Sequence, residues 1–309
     1  MLVSVAIISY NHKPFIKKAI DSVLMQETDF EFEIIIGDDG STDGTQEILK
    51  QYQIKHPQKF RLILAEANEG VYNNVVKILR HCQGKYVAVL EGDDYWTYEQ
   101  KLQKQTLFLE NNSEFSGCCH DTQIIKEGLK TGDIGWEENY FSLYSQLHNY
   151  SQTITPSHLI RRTIIPTSSL FFRSRDYFDE MAVYSDIKFS ISWILELIVM
   201  KKSENEAGKF YFFNQSWSVY RKNKGGLTIK NKRKDFVLSN LMILRRLKRD
   251  KLYKGYKADL YWSIANEYEN WKFHILPEAR QERRWLSLNY LKSSLLHTFH
   301  RFRELLNPL

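Results

Sequence analysis

The sequence predicts an α/β fold with a mostly parallel sheet and helices on both of its faces. Short, nearly continuous aliphatic runs recur through roughly the first 90 residues, as expected for strands that are covered on both faces. Segments with apolar residues at helical spacing lie between these runs. Strands and helices therefore alternate, which is typical of βαβ units with right-handed crossovers.

Four strands and three helices are predicted in this part of the chain. Pro14 suits the first turn of the first helix, because its ring fixes φ at a helical value. Gly84 is typical of a residue that ends a helix in a left-handed conformation. In chain order, the predicted elements are strand 2–8, helix 14–24, strand 32–36, helix 46–54, strand 60–64, helix 71–82 and strand 86–90.

Three polar segments follow the first, second and fourth predicted strands. They are residues 9–11, residues 38–41 and residues 91–94. Because parallel strands end at the same edge of a sheet, we expect these segments to meet although they are far apart in sequence. Ligands of such sheets bind in the crevice at that edge.

The third polar segment places the carboxylates of Glu91, Asp93 and Asp94 directly after a buried strand. A buried strand rarely ends in so much negative charge unless a cation offsets it. A divalent metal site that holds an anionic ligand is one interpretation, and a solvated acidic turn is the other. The convergence of the three segments favours the metal site.

Composition and charge restrict the class of protein. The 309-residue chain contains 43% hydrophobic residues, enough for a packed core, and its net charge of +6 suits a phosphate-bearing ligand or an anionic membrane surface. The three cysteines predict buried thiols in a reducing cytoplasm rather than a disulfide framework. No basic segment precedes the first apolar run, so a strand is expected there and not a signal peptide. The sequence contains no dinucleotide or P-loop glycine motif.

Several motifs together resemble the family 2 glycosyltransferases of the GT-A fold. The motifs are the opening VSVAIISYNHKPF, the segment IIIGDDGSTDGT, the NEG turn, and the segment GKYVAVLEGDDYW with KLQKQ after it. The resemblance covers roughly the first 120 residues. The Glu-Gly-Asp-Asp-Tyr-Trp form of the metal motif resembles a recognised subset of the family. Residues 167–173 and 219–221 resemble bacterial members that build surface polysaccharides.

The resemblance implies a nucleotide site on the polar segments. Ser9, Tyr10, Asn11 and Asp39 are expected to hold the nucleotide, with Asp39 at the base. Glu91 is expected to face the ribose. These roles suit carboxylates at a strand edge, because they can accept hydrogen bonds from a base N–H or from ribose hydroxyls.

The resemblance also implies a metal ion and inversion of configuration at the transferred sugar. Asp93 is expected to bind Mn²⁺ or Mg²⁺ against the diphosphate of a nucleotide-sugar donor. A metal in this place stabilises the charge that develops on the leaving diphosphate. Arg221 is expected either to contact a phosphate or to be ordinary surface charge.

An inverting displacement needs one general base, which takes the proton from the acceptor hydroxyl. The family carries this Asp or Glu at the start of a helix roughly a hundred residues after the metal motif, and Asp186 occupies the matching place. A simple helix cap is the alternative for Asp186. Asp176, Asp179 and Glu180 are rival candidates nearby.

Further expectations concern the middle of the chain. His120 is expected to be a core histidine rather than a site residue. Residues 167–173 are expected to form a strand that carries Ser168 or Ser169 near the acceptor pocket. Residues 136–166 are expected to form a loop region on the acceptor side.

The chain divides into a predicted catalytic domain, residues 1–234, and a helical C-terminal region, residues 235–309. Within the catalytic domain, residues 1–120 are expected to bind the nucleotide sugar and residues 121–234 to form the acceptor side. Three helices rich in basic residues are predicted in the C-terminal region, at 236–252, 256–275 and 277–306. They either pack on the catalytic domain or rest on an anionic membrane.

The sequence therefore predicts a metal-dependent inverting glycosyltransferase with a nucleotide-sugar donor, for which UDP is the favoured nucleotide. The expected acceptor is a glycan or a lipid-linked glycan in surface polysaccharide synthesis, and no nucleic acid is expected. The expected location is the cytoplasm, with peripheral contact at the inner face of the membrane as a variant. One alternative is an inactive nucleotide-sugar or glycan-binding protein of the same fold. The other is a sugar nucleotidyltransferase, which should carry a Gly-rich basic first loop that residues 9–12 lack.

Overall fold

The computed structural model describes residues 1–127, 135–136, 152–202, 206–227, 233–274 and 295. These residues form ten strands, which all belong to one sheet. In chain order, the strands are β1 (Val3–Ser9), β2 (Phe32–Asp38), β3 (Phe60–Leu64), β4 (Tyr86–Glu91), β5 (Tyr95–Trp96), β6 (Phe115–Glu127), β7 (Gly135–Trp136), β8 (Thr153–Ile154), β9 (Phe171–Arg173) and β10 (Lys209–Asn223).

The helices of the described residues lie mostly between these strands and after the last of them. Two short 3₁₀ turns, Thr167–Ser169 and Leu252–Tyr256, accompany them. The α-helices are α1 (Ile16–Leu24), α2 (Thr45–Lys55), α3 (Val71–His81), α4 (Lys101–Asn111), α5 (Pro156–Arg161), α6 (Phe178–Ala182), α7 (Ile191–Met200), α8 (Arg233–Leu247) and α9 (Lys257–His274).

The sheet has one edge at which most of its long strands end. Its order is β3-β2-β1-β4-β9-β6-β10-β5, and β1 to β4 are mutually parallel. Strand β9 is antiparallel to both β4 and β6, so β6 runs in the same direction as β4, and β10 is parallel to β6. The ends of β1, β2, β4, β6 and β10 therefore share one edge, called here the carboxyl edge.

The first strands bury both of their faces, as their aliphatic sequences predict. Alternate residues point to opposite faces of a strand, and Val5 and Ile7 of β1 belong to the core that contains α1 and α4. Ala6 belongs to the second core, which contains α3, α7 and α8. Two apolar cores thus cover the two faces of the sheet, and the predicted α/β architecture is confirmed.

Two details of the predicted helices are wrong. Helix α1 begins at Ile16 with Phe15 as its N-cap, so Pro14 precedes the first turn. Gly84 does not adopt the left-handed conformation expected of a residue that ends a helix. Instead, a Cβ at Gly84 would lie 2.5 Å from the backbone nitrogen of Ser4, so the glycine permits close approach of the chain to β1.

The middle of the chain differs from its prediction in part. Residues 167–173 contain a 3₁₀ turn before the short strand β9, rather than one strand. Most of residues 136–151 lie outside the described residues, while β8 and α5 occupy part of the predicted loop region after them.

The described C-terminal helices include α9, which packs on α5. Asp259 of α9 pairs with Arg161 of α5 at 2.7 Å, and the Ser263 hydroxyl donates to the Ile160 carbonyl at 2.9 Å. Helix α8 begins and ends earlier than the predicted 236–252, and α9 lies within one residue of the predicted 256–275 at each end. The predicted helix 277–306 lies outside the described residues apart from position 295. None of the described helices combines the length and the apolar character needed to cross a bilayer. The boundary at 234/235 stays a prediction.

Candidate active site

Asp38 contributes to the hydrogen bonds that connect the loops after β1 and β2. Its buried carboxylate accepts hydrogen bonds from the Ser41 backbone N–H at 2.9 Å, the Ser41 hydroxyl at 2.6 Å and the Gln46 amide at 2.9 Å. Ser41 Oγ in turn accepts the backbone N–H of Asn11 at 2.7 Å, and Asn11 Oδ1 accepts that of Thr42 at 2.8 Å. Asn11 has a φ of 54°, a left-handed conformation that Asn tolerates. Hydrogen bonds therefore join the loops after β1 and β2 into one surface at the carboxyl edge, called here the ledge.

Asp39 holds the turn that precedes α3. Its carboxylate is 4% exposed and accepts the backbone N–H groups of Glu69 at 2.8 Å and Gly70 at 3.0 Å. Burial raises the pKa of Asp39, and the two hydrogen bonds partly oppose this shift. A carboxylate offers about four lone-pair sites, so both oxygens keep capacity for a ligand N–H. A Cβ at Gly40, whose φ is 72°, would lie 2.4 Å from the Ala67 carbonyl carbon, so this close turn requires glycine.

Ser9 and Tyr10 lie on the same ledge with different exposures. The Ser9 carbonyl accepts the backbone N–H of Asp39 at 3.0 Å. Its hydroxyl is buried and has no hydrogen-bond partner among the described residues. Tyr10 is 40% exposed, so its ring is accessible to a ligand. The structure thus brings the four residues expected to hold the nucleotide to one edge, and their nucleotide contacts stay a prediction.

Asp94 connects residues 91–94, called here the acidic motif, to β10 by a hydrogen bond. Its side chain is 1% exposed, and Oδ1 accepts the backbone N–H of Arg221 at 2.9 Å. Burial, followed by the negative charges of Asp93 and Glu91, raises the pKa of Asp94 well above its usual value. Asp94 therefore links two strands and offers no exposed carboxylate to a ligand.

Asp93 lies between β10 and the first polar loop. Its Oδ2 accepts the amide Nδ2 of Asn223 at 2.9 Å, and its carbonyl accepts Nη1 of Arg221 at 2.9 Å. Oδ1 lies 3.7 Å from Nε2 of His12, which is beyond hydrogen-bond distance. The Asp93 side chain is 13% exposed, so a ligand can reach it.

Arg221 supplies a fixed positive charge beside the acidic motif. Its guanidinium lies over the Tyr95 ring at 4.6 Å and the Phe15 ring at 5.2 Å from the centroids. Its Nε lies 3.0 Å from Glu127 Oε2, an ion pair without hydrogen-bond geometry. Arg221 is 6% exposed, so the alternative of ordinary surface charge is wrong.

Glu91 ends β4 beside the 3₁₀ turn that contains Thr167. Thr167 interacts with the Glu91 carboxylate and favours its ionised form, which by itself lowers the pKa of Glu91. Burial, followed by the charge of Asp93, raises the pKa of Glu91 to about 8. A cation nearby would favour the ionised form, because opposite charge lowers the pKa of a carboxyl.

The free energy of unfolding of the metal-free protein should fall as the pH rises between about 4.5 and about 8, partly because of Glu91. Folding raises the pKa of Glu91 across this range, so the native state binds more protons than the unfolded state and loses that advantage with rising pH. One group contributes at most about 1.4 kcal/mol per pH unit. Urea denaturation in EDTA should show a smaller slope for Glu91→Gln than for the wild type. Identical slopes would contradict the expected effect of burial.

Asp186 lies outside this cluster. Its side chain is 57% exposed, and Oδ2 accepts Nη2 of Arg246 at 2.7 Å. This hydrogen bond lowers the pKa of Asp186. Helix α7 begins at Ile191 with Ser190 as its N-cap, so the interpretation of Asp186 as a helix cap is wrong. Within the described residues, the structure does not bring Asp186 into contact with Asp93.

The packing of α7 against α8 explains where Asp186 lies. Ser190, before α7, donates to Asn240 at 2.7 Å, and Lys201, after α7, pairs with Asp250, so the two helices run in the same direction. The Met200 carbonyl at the end of α7 accepts the hydroxyl of Ser116 at the beginning of β6, on the side opposite the carboxyl edge. Arg246 lies between Asn240 and Asp250 along the chain, towards the end of α8 that is remote from the carboxyl edge. Its ion pair with Asp186 therefore places Asp186 away from the carboxyl edge.

The rival candidates for the base lie near the edge of the sheet opposite the carboxyl edge, whereas Asp93 lies at the carboxyl edge. Arg173, at the end of β9, pairs with Tyr86 at the beginning of β4. The rivals follow Arg173 within a few residues, and two of them lie in the first turn of α6. The geometry therefore does not favour Asp176, Asp179 or Glu180.

Burial separates the two expectations about the middle of the chain. His120 is fully buried, with its ring 5.2 Å from that of Trp217, and burial lowers its pKa well below the usual value. It is a core histidine, as predicted. Ser168 and Ser169 are both 0% exposed, so neither side chain is open to a ligand in this structure, and their position near an acceptor pocket stays a prediction.

Three side chains around the acidic motif were not predicted, namely His12, Thr167 and Asn223. A Cβ at Gly92 would lie 2.7 Å from Nδ1 of His12, so the motif glycine makes room for the histidine ring. Asn223 lies two residues after Arg221 in β10, and the position of Arg221 in a recognised segment was the available signal for it. Thr167 begins the segment 167–173, and the resemblance of this segment to bacterial family members was the available signal for it.

The side chains around Asp93 fit a divalent cation that is shared with a ligand. No group of three or more His, Cys, Asp or Glu side chains is arranged as a metal site in the described part of the chain. Mg²⁺, however, is usually held by one or two carboxylates together with substrate phosphates and water. Asp93 Oδ1 accepts no hydrogen bond from the described residues, so it is available as a ligand oxygen. Asp93 would hold Mn²⁺ or Mg²⁺ in this way.

The architecture of the described residues matches solved structures of the GT-A fold. TarS from S. aureus in complex with UDP covers 95% of this chain and 81% of its own length at a TM-score of 0.59 and 17% identity. The mannosyltransferase PcManGT from Pyrobaculum calidifontis, in complex with GDP-Man and Mn²⁺, covers 96% and 87% at a TM-score of 0.55 and 15% identity. Likeness at these identities shows the fold, and the predicted GT-A fold is confirmed.

The sequence comparison gives the family. Residues 4–180 match the family described as glycosyl transferase family 2. Because the match covers more than half of the chain, the protein belongs to this family, and the matched domain is that of a transferase enzyme.

The similarity to each of two curated relatives covers only part of the relative. An uncharacterized protein of Mycobacterium tuberculosis is 32% identical over 224 residues, which cover 72% of this chain and 60% of the relative. The putative teichuronic acid biosynthesis glycosyltransferase TuaG of Bacillus subtilis is 42% identical over 112 residues, which cover 36% of this chain and 43% of TuaG. The chain therefore spans about 60% of the length of its mycobacterial relative.

Proposed function

We propose that the protein is a metal-dependent inverting glycosyltransferase that uses a nucleotide-sugar donor, with UDP as the favoured nucleotide. The observation that carries the proposal is the position of Asp93 at the carboxyl edge, with a free oxygen and the fixed cation of Arg221 beside it. Structures of the same fold contain UDP in one case and GDP-Man with Mn²⁺ in another, which supports a nucleotide-sugar donor and a divalent cation.

The proposed roles follow from the chemistry of the edge. Asp39 offers remaining lone pairs to a base N–H, and the exposed ring of Tyr10 lies beside it on the ledge. Glu91 would accept ribose hydroxyls. A divalent ion held at Asp93 would supply charge stabilisation to the leaving diphosphate, and Arg221 would add a fixed positive charge to it. These positive charges are worth more in a partly buried site than in water.

The acceptor hydroxyl needs a base on the side of the sugar opposite the diphosphate. Asp186 is the proposed base because it occupies the family's position for this residue. Its ion pair with Arg246 leaves it outside the described cluster, so the assignment depends on the sequence resemblance.

The proposed acceptor of the sugar is a glycan or a lipid-linked glycan in surface polysaccharide synthesis. The similarity to TuaG, whose name refers to teichuronic acid biosynthesis, supports this class of acceptor. We place the protein in the cytoplasm, where nucleotide sugars are made available to such enzymes, with peripheral membrane contact through residues 235–309 as part of the proposal. Ser263 and Asp259 of α9 contact α5, so part of the surface of this helix is already used within the protein.

A panel of nucleotide sugars tested by thermal shift should reveal the donor. A ligand that binds only the native state stabilises it by about 2.7 kcal/mol at a hundred times its Kd. We expect at least one UDP sugar to raise the Tm in the presence of Mn²⁺ and to lose most of this effect in EDTA. If no nucleotide sugar raises the Tm with any divalent cation, the proposed function is wrong.

A further inference from the structure

The two oxygens of the Asp93 carboxylate have different surroundings. Oδ2 accepts a hydrogen bond from Asn223 Nδ2 at 2.9 Å. Oδ1 faces His12 Nε2 at 3.7 Å and accepts no hydrogen bond from the described residues. One oxygen of this carboxylate is therefore engaged and the other is open.

The orientation of the Asn223 amide is determined by a second contact. Its Oδ1 accepts the backbone N–H of Gly225 at 2.8 Å, so the opposite end of the amide, which donates, must face Asp93. Asn223 is the last residue of β10 and is 5% exposed. The donor is thus held in place by a strand end, a turn and burial.

This arrangement restricts how Asp93 can bind a cation. Mg²⁺ requires near-octahedral geometry and usually takes one oxygen from a carboxylate, whereas Ca²⁺ accepts six to eight oxygens and often both oxygens of one carboxylate. The Asn223 amide already uses one of the two lone pairs of Oδ2, so a cation bound to both oxygens would share Oδ2 with this donor. The amide hydrogen and the cation would then compete for the same oxygen, which disfavours binding through both oxygens.

We propose that Asn223 determines the metal selectivity of the site by holding Asp93 as a one-oxygen ligand, which favours Mg²⁺ or Mn²⁺ over Ca²⁺. The inference rests on the proposed function, in which Asp93 is the metal ligand. Asn223 acts through Asp93 and is a positioning residue. Residues that orient metal ligands in this way typically change metal affinity by about 10- to 100-fold when they are replaced.

The test measures binding of UDP by isothermal titration calorimetry in Mg²⁺, Mn²⁺, Ca²⁺ and EDTA. In the wild type, Mg²⁺ and Mn²⁺ should strengthen UDP binding and Ca²⁺ should do so less. In Asn223→Ala, binding supported by Mg²⁺ or Mn²⁺ should weaken by roughly tenfold or more. Binding supported by Ca²⁺ should stay unchanged or strengthen, because both oxygens of Asp93 are then free.

Two further variants test whether the change in binding could arise from loss of folding. Asn223→Ser keeps a polar group that is too short to hold Oδ2 and should show the same change in selectivity. Asn111→Ala removes a comparable amide on α4, which donates only to the Leu107 carbonyl, and should leave all affinities unchanged. Circular dichroism of each variant establishes that it is folded.

The outcomes separate this inference from the proposed function. If the wild type binds UDP with a cation and both Asn223 variants weaken binding equally with all three cations, Asn223 is only structural and the inference is overturned. Unchanged binding in both variants overturns it as well. If the wild type binds neither UDP nor GDP with any cation, the proposed function fails and the inference fails with it.

Discussion

Asp93→Asn is expected to lower glycosyl transfer by roughly 10³-fold. The substitution keeps the shape of the side chain but removes the charged oxygen at Oδ1 and turns one end of the group into a donor. A metal that polarises a leaving phosphoryl group contributes several kcal/mol of transition-state stabilisation, and each 1.36 kcal/mol corresponds to about tenfold in rate. The oxygen of the new amide would accept the hydrogen bond from Asn223, so its NH₂ group would take the place of Oδ1 and could not bind a cation.

The measurement is kcat/KM with the donor found in the nucleotide-sugar panel, at saturating Mn²⁺. Glu110→Gln is a matched control, because it also neutralises a carboxylate, and Glu110 forms its ion pair with Lys85 near the beginning of β4. The control should retain nearly full activity. Retention of activity by Asp93→Asn would show that the metal, if one is used, is held elsewhere.

Asp186→Asn is expected to reduce kcat by roughly 10²- to 10⁴-fold while the donor still binds, because a positioned general base contributes about this much. The acceptor hydroxyl would then have no group to take its proton. Donor affinity should not change, since Asp186 contacts Arg246 and not the residues around Asp93 in the described structure. Single-turnover kinetics and calorimetry with UDP separate the two effects.

Arg246→Gln gives the companion measurement. Arg246 lowers the pKa of Asp186, and a base works only when it is deprotonated. Removal of Arg246 should therefore move the acidic limb of the pH profile of kcat to higher pH if Asp186 is the base. Normal transfer by Asp186→Asn would assign the base to another group, and the exposed ion pair would then have a structural role.

The sequence predicted the first half of the sheet well because the signal there is local. Aliphatic runs on both faces of β1 and β4 produce the two cores, with alternate residues such as Val5 and Ala6 on opposite sides. Parallel strands that end at one edge then bring Asp39 and Asp93 together without further information. The GT-A fold followed from these regularities and from the motif resemblance.

The sequence predicted less where a contact joins distant segments or depends on exact packing. Asn223 lies 130 residues from Asp93, and it reaches this carboxylate only because β10 returns parallel to β6. The role of Gly84 depends on the close approach of β1, which no local pattern encodes. The position of Asp186 depends on how α7 and α8 pack, and its match to a family position gives no information on that packing.

The sequence by itself determined the alternation of strands and helices, the three polar loops and the carboxylates at their ends, because these depend on residues close together in the chain. Only the tertiary structure decided which oxygen of Asp93 is open, that Asp94 is a buried link to β10, and that Asp186 pairs with Arg246. The physical reason is that burial and hydrogen-bond partners of a carboxylate come from segments far away in the chain. They depend on the three-dimensional packing, which sets both the pKa of each group and its availability to a ligand.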